Sequence, residues 1–103
     1  MQDIRKLMRQ AQEMQAQMQR VQEQLGEQEV EGTSGGGKVV VTMNGRHEVR
    51  RVRIDPKVVD PEDVEMLEDL IAAAMNDADA KIQTRMKEEM SKLTGGLGIP
   101  GLF

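Results

Sequence analysis

A chain of 103 residues holds one domain with a modest core, and with Phe103 as its only aromatic residue that core must be aliphatic, drawn from Val, Leu, Ile, Ala and nine Met. The absence of cysteine excludes disulfides, thiol nucleophiles and thiolate metal sites, and no apolar run approaches the roughly 20 residues of a membrane span. The formal net charge of −4 argues against a polyanion as partner until its distribution is read: residues 55 to 80 hold Lys57 against nine carboxylates, a balance of −8, so the rest of the chain sums to +4.

The opening residues Met1 to Lys6 lead into a polar amphipathic stretch without the apolar region of a secretory signal, so a cytoplasmic protein is expected. Ile4, Leu7, Ala11, Met14, Met18, Val21 and Leu25 then recur with alternating steps of three and four. That heptad seam predicts a first helix with Arg5, Lys6 and Arg9 on its outer face and Gly26 as its C-cap. About 24 residues of helix would span about 36 Å, longer than a small sheet can cover.

The period then changes. Gln28 to Thr33, Lys38 to Met43 and Arg46 to Ile54 read as three strands of an antiparallel meander, the first two joined through Ser34 to Gly37 and the last two by an Asn44-Gly45 turn. Strict alternation in the third strand sets Arg50, Val52 and Ile54 on one face and Val49, Arg51 and Arg53 on the other. Asp55-Pro56 ends the strands, and Lys57 to Val59 reads as a short turn of helix. Asp60-Pro61-Glu62-Asp63 looks like a helix start with Asp60 as N-cap and Pro61 at the first helical position. The second long helix is expected to run to about Leu93, with an apolar stripe through Val64, Leu67, Ile71, Ala74 or Met75, Ala78, Ile82, Met86, Met90 and Leu93 that drifts beyond Ala78, where the steps lengthen to four. Residues 1 to 93 thus read as a single domain and 94 to 103, rich in Gly and Pro, as a flexible tail. The fold class is α+β. Short connections favour two antiparallel helices against one face of the sheet, with the start of the first beside the end of the last. Arg5, Lys6 and Arg9 would then join Lys81, Arg85, Lys87 and Lys92 at one basic end.

Catalytic and metal motifs are weak. Gly32 to Lys38 has the spacing of a phosphate-binding loop, but Val39 stands where Ser or Thr is needed and a strand follows instead of a helix. His47 lacks metal-ligand company, and the carboxylates from Asp60 to Asp69 lie on a helix without the spacing of a calcium loop. Two serines and one isolated histidine supply no nucleophile and base pair. No enzyme, cofactor or small-molecule substrate is expected. The methionines read first as helix and dimer packing, and the basic helix ends could equally be a salt-bridged solvated face.

Val41-Thr42-Met43-Asn44-Gly45, Val52-Arg53-Ile54-Asp55-Pro56 and Met66 to Ala78, with the Ile4 to Gln12 opening and the Gly96 to Gly101 tail, resemble the YbaB/EbfC family of nucleoid-associated DNA-binding proteins. The resemblance implies a tweezer-like homodimer with the sheets at its centre and the long helices as arms. It also implies binding to double-stranded DNA, a nucleoid location and an influence on gene expression. Carried onto this chain, DNA binding by the first and last helices falls on Arg5, Lys6, Arg9, Lys81, Arg85, Lys87 and Lys92, chiefly as phosphate contacts. Arg50, Arg51 and Arg53 form a second basic group of open role. The competing expectation is a non-catalytic adaptor or prefoldin-like holdase that takes apolar clients on its Met-bearing seam.

Overall fold

The computed structural model describes residues 2–95. Its elements are α1 (Gln2–Glu27), β1 (Glu29–Ser34), β2 (Val39–Asn44), β3 (Val49–Ile54), a 3₁₀ turn at Pro56–Val58 and α2 (Val64–Gly95). The expected order of helix, three-stranded antiparallel meander and helix is therefore present, with strand order β1-β2-β3. The expected tail lies, beyond Gly95, outside the described residues.

Every residue of β2 is buried. Val39, Val41 and Met43 meet Val58 and the α2 residues Ala74, Ala78 and Ile82, the heart of the core. Small residues decide how closely α2 can lie. A Cβ at Gly32 would run into the backbone of Ala74 and Ala78, so the Gly32 position in β1 is a requirement of helix-on-sheet contact. α2 packs across β1 and β2 and leaves β3 beside it. As a result, Val49 and Val52 remain 41% and 44% exposed.

Strict alternation fails in β3. Register places Val52 opposite Val41 and Ile54 opposite Val39, but a bulge at Thr42/Met43 sets Val49 opposite Met43. All three apolar residues therefore share the α2 side. Arg50, expected there, reaches across the open face instead, with Nε 3.8 Å from Glu29 Oε2. The extra residue keeps a guanidinium away from the aliphatic core, where it would be costly.

The start of α2 also differs from expectation. Asp60 closes its own turn, with Oδ1 accepting from Glu62 N at 2.9 Å. Asp63 caps the helix, its Oδ1 accepting from Met66 N at 3.2 Å. Two aspartates compete for the capping role, and the one three residues before an unpaired helical N–H takes it.

The turn after β2 is longer than the expected two residues. Asn44 ends the strand, and its Oδ1 accepts from Arg46 N and Glu48 N, both at 3.0 Å. His47, at φ 62, takes the left-handed position assigned to the Asn-Gly pair. Gly45 serves a different need: a Cβ there would strike the Leu25 carbonyl, and Gly45 N donates to Gly26 O at 3.1 Å. Gly26 lies inside α1 and receives the turn, so it is not a C-cap.

The largest correction concerns α1. It packs along neither the sheet nor α2, and residues 3–20 are all exposed. The radius of gyration is 20.3 Å and the molecule extends over 75 × 26 × 16 Å, whereas a compact chain of this length has a radius near 13 Å. A heptad seam is shaped to receive another helix along its length, and α2 is already committed to the sheet.

Candidate nucleic-acid interface

The two helices leave the sheet at the same end. α1 finishes at Glu27, just before β1, and α2 runs antiparallel to β1, from Ser34 Oγ donating to Leu70 O at 2.5 Å to Arg85 Nη1 donating to Glu29 O at 3.5 Å. Beyond Arg85, α2 projects for another ten residues. The acidic stretch from Asp60 to Asp69, which leads into α2 and forms its first turns, lies toward the opposite, Ser34 end. The fold thus sets both helix projections away from the acidic stretch: that of α1 carries Arg5, Lys6 and Arg9, whereas in that of α2 Lys87 and Lys92 are balanced by Glu88 and Glu89.

The seven basic residues selected from the sequence divide into two groups. Arg5, Lys6 and Arg9 are exposed on α1 and, among the described residues, have no acid within ion-pair distance. Lys87 on α2 is in the same position. Lys81 instead donates to Glu31 O at 2.9 Å and pairs with Asp77 Oδ2 at 3.0 Å. Arg85 holds the Glu29 carbonyl, and Lys92 lies 3.7 Å from Glu89. Within one chain the two helices are not packed together, so the α1 trio does not join the α2 residues in a single cluster.

Lys81 and Arg85 act with Asp77 on the outer edge of β1. Thr33 N donates to Asp77 Oδ2 at 2.8 Å, so three α2 side chains each engage one backbone group of the outward-facing residues Glu29, Glu31 and Thr33. The Thr33 N–H, then Lys81, hold the Asp77 carboxyl below its usual range. Spacing of i, i+4 and i+8 on α2 was the sequence signal for this edge cap, but charge alone could not separate it from a DNA-facing row.

Arg20 is a functional candidate missed by sequence reasoning. It is exposed on α1, unpaired among the described residues, and shares a heptad position with Lys6, two heptads farther along. The foot of this arm is fixed by the β2–β3 turn. Arg46 bonds Glu27 at 2.8 Å and Glu48 at 3.0 Å, and His47 Nδ1 lies 2.5 Å from Asp79 Oδ1. Arg46 lowers the Glu27 pKa; the Asn44 amide, followed by Arg46, lowers that of Glu48.

A groove of about 570 Å³ between β1 and α2 is lined by Glu29, Glu31, Lys81, Thr84, Arg85 and Glu88, a mixture of charges without a catalytic constellation. No metal-binding group of His, Cys, Asp or Glu occurs among the described residues. No helix among them is long and apolar enough to cross a membrane.

Comparison with known proteins gives this geometry a family context. An uncharacterized protein from Helicobacter pylori has a similar fold, with TM-score 0.63 and 24% identity over 81% of this chain and 96% of its own. A nucleoid-associated protein of Chloroflexus aurantiacus is 57% identical over 99 residues, covering 96% of this chain and 97% of the relative. A nucleoid-associated protein of Pelotomaculum thermopropionicum is 52% identical over 101 residues, covering 98% and 96%. With residues 1–97 matching the family's own sequence pattern, the chain belongs to the YbaB/EbfC DNA-binding family.

Proposed function

We propose that this protein binds double-stranded DNA as a homodimer in the nucleoid, gripping phosphates with basic side chains on its helical arms and influencing DNA organisation and gene expression without catalysis. The observation that carries the reading is the row of unpaired cations on α1, Arg5, Lys6, Arg9 and Arg20, on an exposed helix of a DNA-binding family member. Lys87 adds an unpaired charge on α2. Lys81, Arg85 and Lys92 can add field while retaining their internal bonds. Phosphate contact needs long cations on a rigid scaffold and no base-reading pattern, which suits these helices.

The uncovered seam supports the dimer. Ile4, Leu7 and Met14 are 59%, 64% and 64% exposed, a row that a second copy can bury. The same exposure favours one competing reading, a holdase that captures apolar clients. A labelled duplex titrated across a salt series, with mass measured in parallel, separates them. Phosphate gripping predicts a dimer whose affinity falls with a log–log slope of about −5 for roughly six contacts. Absence of DNA binding at low salt, with salt-insensitive capture of an unfolded protein, would replace the DNA reading with the holdase.

A further inference from the structure

The sheet has a second face, turned away from α2, and its chemistry is separate from that of the arms. Val40, Thr42 and Asn44 form its floor, only 7%, 4% and 2% exposed beneath longer neighbours. Arg51 stands opposite Thr42 and Arg53 opposite Val40, so both guanidiniums belong to this face. The bulge adds Arg50, which strict alternation would have turned toward the core. Three cations are thereby presented by one six-residue strand.

Their surroundings distinguish them from ordinary paired surface charges. The acids on this face, Glu29 and Glu31, belong to β1, with β2 between them and the arginines. Glu29 engages Arg50 at 3.8 Å, too long for a tight ion pair. Arg51 and Arg53 are exposed and, among the described residues, their side chains have neither an ion-pair nor a hydrogen-bond partner. Two residues along a strand advance about 6.6 Å, so these forks form a short fixed row above a flat floor. Guanidinium suits phosphate oxygens through paired N–H groups, and a strand fixes its direction better than a loop would.

We propose that Arg51 and Arg53, assisted by Arg50, form a second DNA-phosphate contact on the open face of the sheet, independent of the α1 residues. The inference rests on the DNA-binding reading above and assigns it an additional surface. The bulge has a functional consequence as well as a packing one, because it places Arg50 with the other two arginines.

The test is the salt dependence of duplex binding by wild type, Arg51→Gln/Arg53→Gln, Arg51→Lys/Arg53→Lys and Arg5→Glu/Lys6→Glu/Arg9→Glu, with mass and thermal midpoint followed for each. The Gln pair is expected to flatten the log–log slope by about two and weaken binding roughly tenfold at physiological salt. The Lys pair should retain most of the slope. Combining the Gln pair with the α1 variant should add their effects in log affinity, as distant sites do. An unchanged slope for the Gln pair, in protein that still binds through the arms, would overturn this proposal alone. Loss of self-association by the Gln pair would also overturn it, reassigning the arginines to an interface between copies. Failure of the wild type to bind at low salt would overturn the underlying DNA reading and this inference together.

Discussion

The two helices of this chain show opposite relations between pattern and packing. α1 has the more regular apolar repeat, yet residues 3–20 are exposed; α2 has a drifting stripe, yet it supplies Ala74, Ala78 and Ile82 to the core. A regular heptad describes a surface that fits another helix, whereas contact with a sheet requires small side chains and a close backbone. Gly32 and the two alanines meet that requirement. The seam of α1 has no such complement within its own chain.

The strongest way to break this contrast is to weaken the body. Ile82→Ala should cost about 2–5 kcal/mol, because it removes a fully buried aliphatic group from the α2–sheet contact. Thermal or denaturant unfolding measures the loss. On the arm, Arg5→Glu/Lys6→Glu/Arg9→Glu should leave that midpoint nearly unchanged while flattening the DNA-binding salt slope by about three. An equal destabilisation by both variants would erase the distinction between body and arm.

A smaller effect sharpens the role of the seam. Leu7→Ala with Met14→Ala should weaken self-association by about tenfold or more, since each truncation removes apolar area that only a partner can bury. Sedimentation equilibrium reads this directly. Unchanged association would move the interface away from α1.

The smallest expected effect tests the edge cap. Because the folded-state pKa of Asp77 is depressed, its contribution to stability is present above the unfolded value near 4 and is lost as pH falls through the lower folded value. Asp77→Asn should therefore reduce stability slightly at neutral pH and make the acid-unfolding curve shallower below about pH 4. A wild-type curve identical to that of the variant would remove the carboxylate from this role.

Much of the fold was legible in local pattern. The heptad, the β-branched run of β2 and the acidic helix start lead to the correct element order, because each reports a backbone period or a capping chemistry. The failures lie where local rules compete or where a partner is chosen. Asp60 and Asp63 both suit a helix start, and only the bond to Met66 N separates them. Strict alternation cannot reveal that Arg50 is accommodated by a bulge. Composition identifies Lys81 and Arg85 as cations, but their carbonyl partners on β1 are brought near only by the fold.

The occupied outer edge of β1 bears on how large an assembly can grow. A sheet with two open edges can add strands without limit, as filaments and amyloid do. Here Asp77, Lys81 and Arg85 block one side, while β3 has no comparable cap among the described residues. Antiparallel joining of two β3 edges would consume the available side of both chains and leave their blocked sides outward. Growth by that route terminates at a closed two-fold pair.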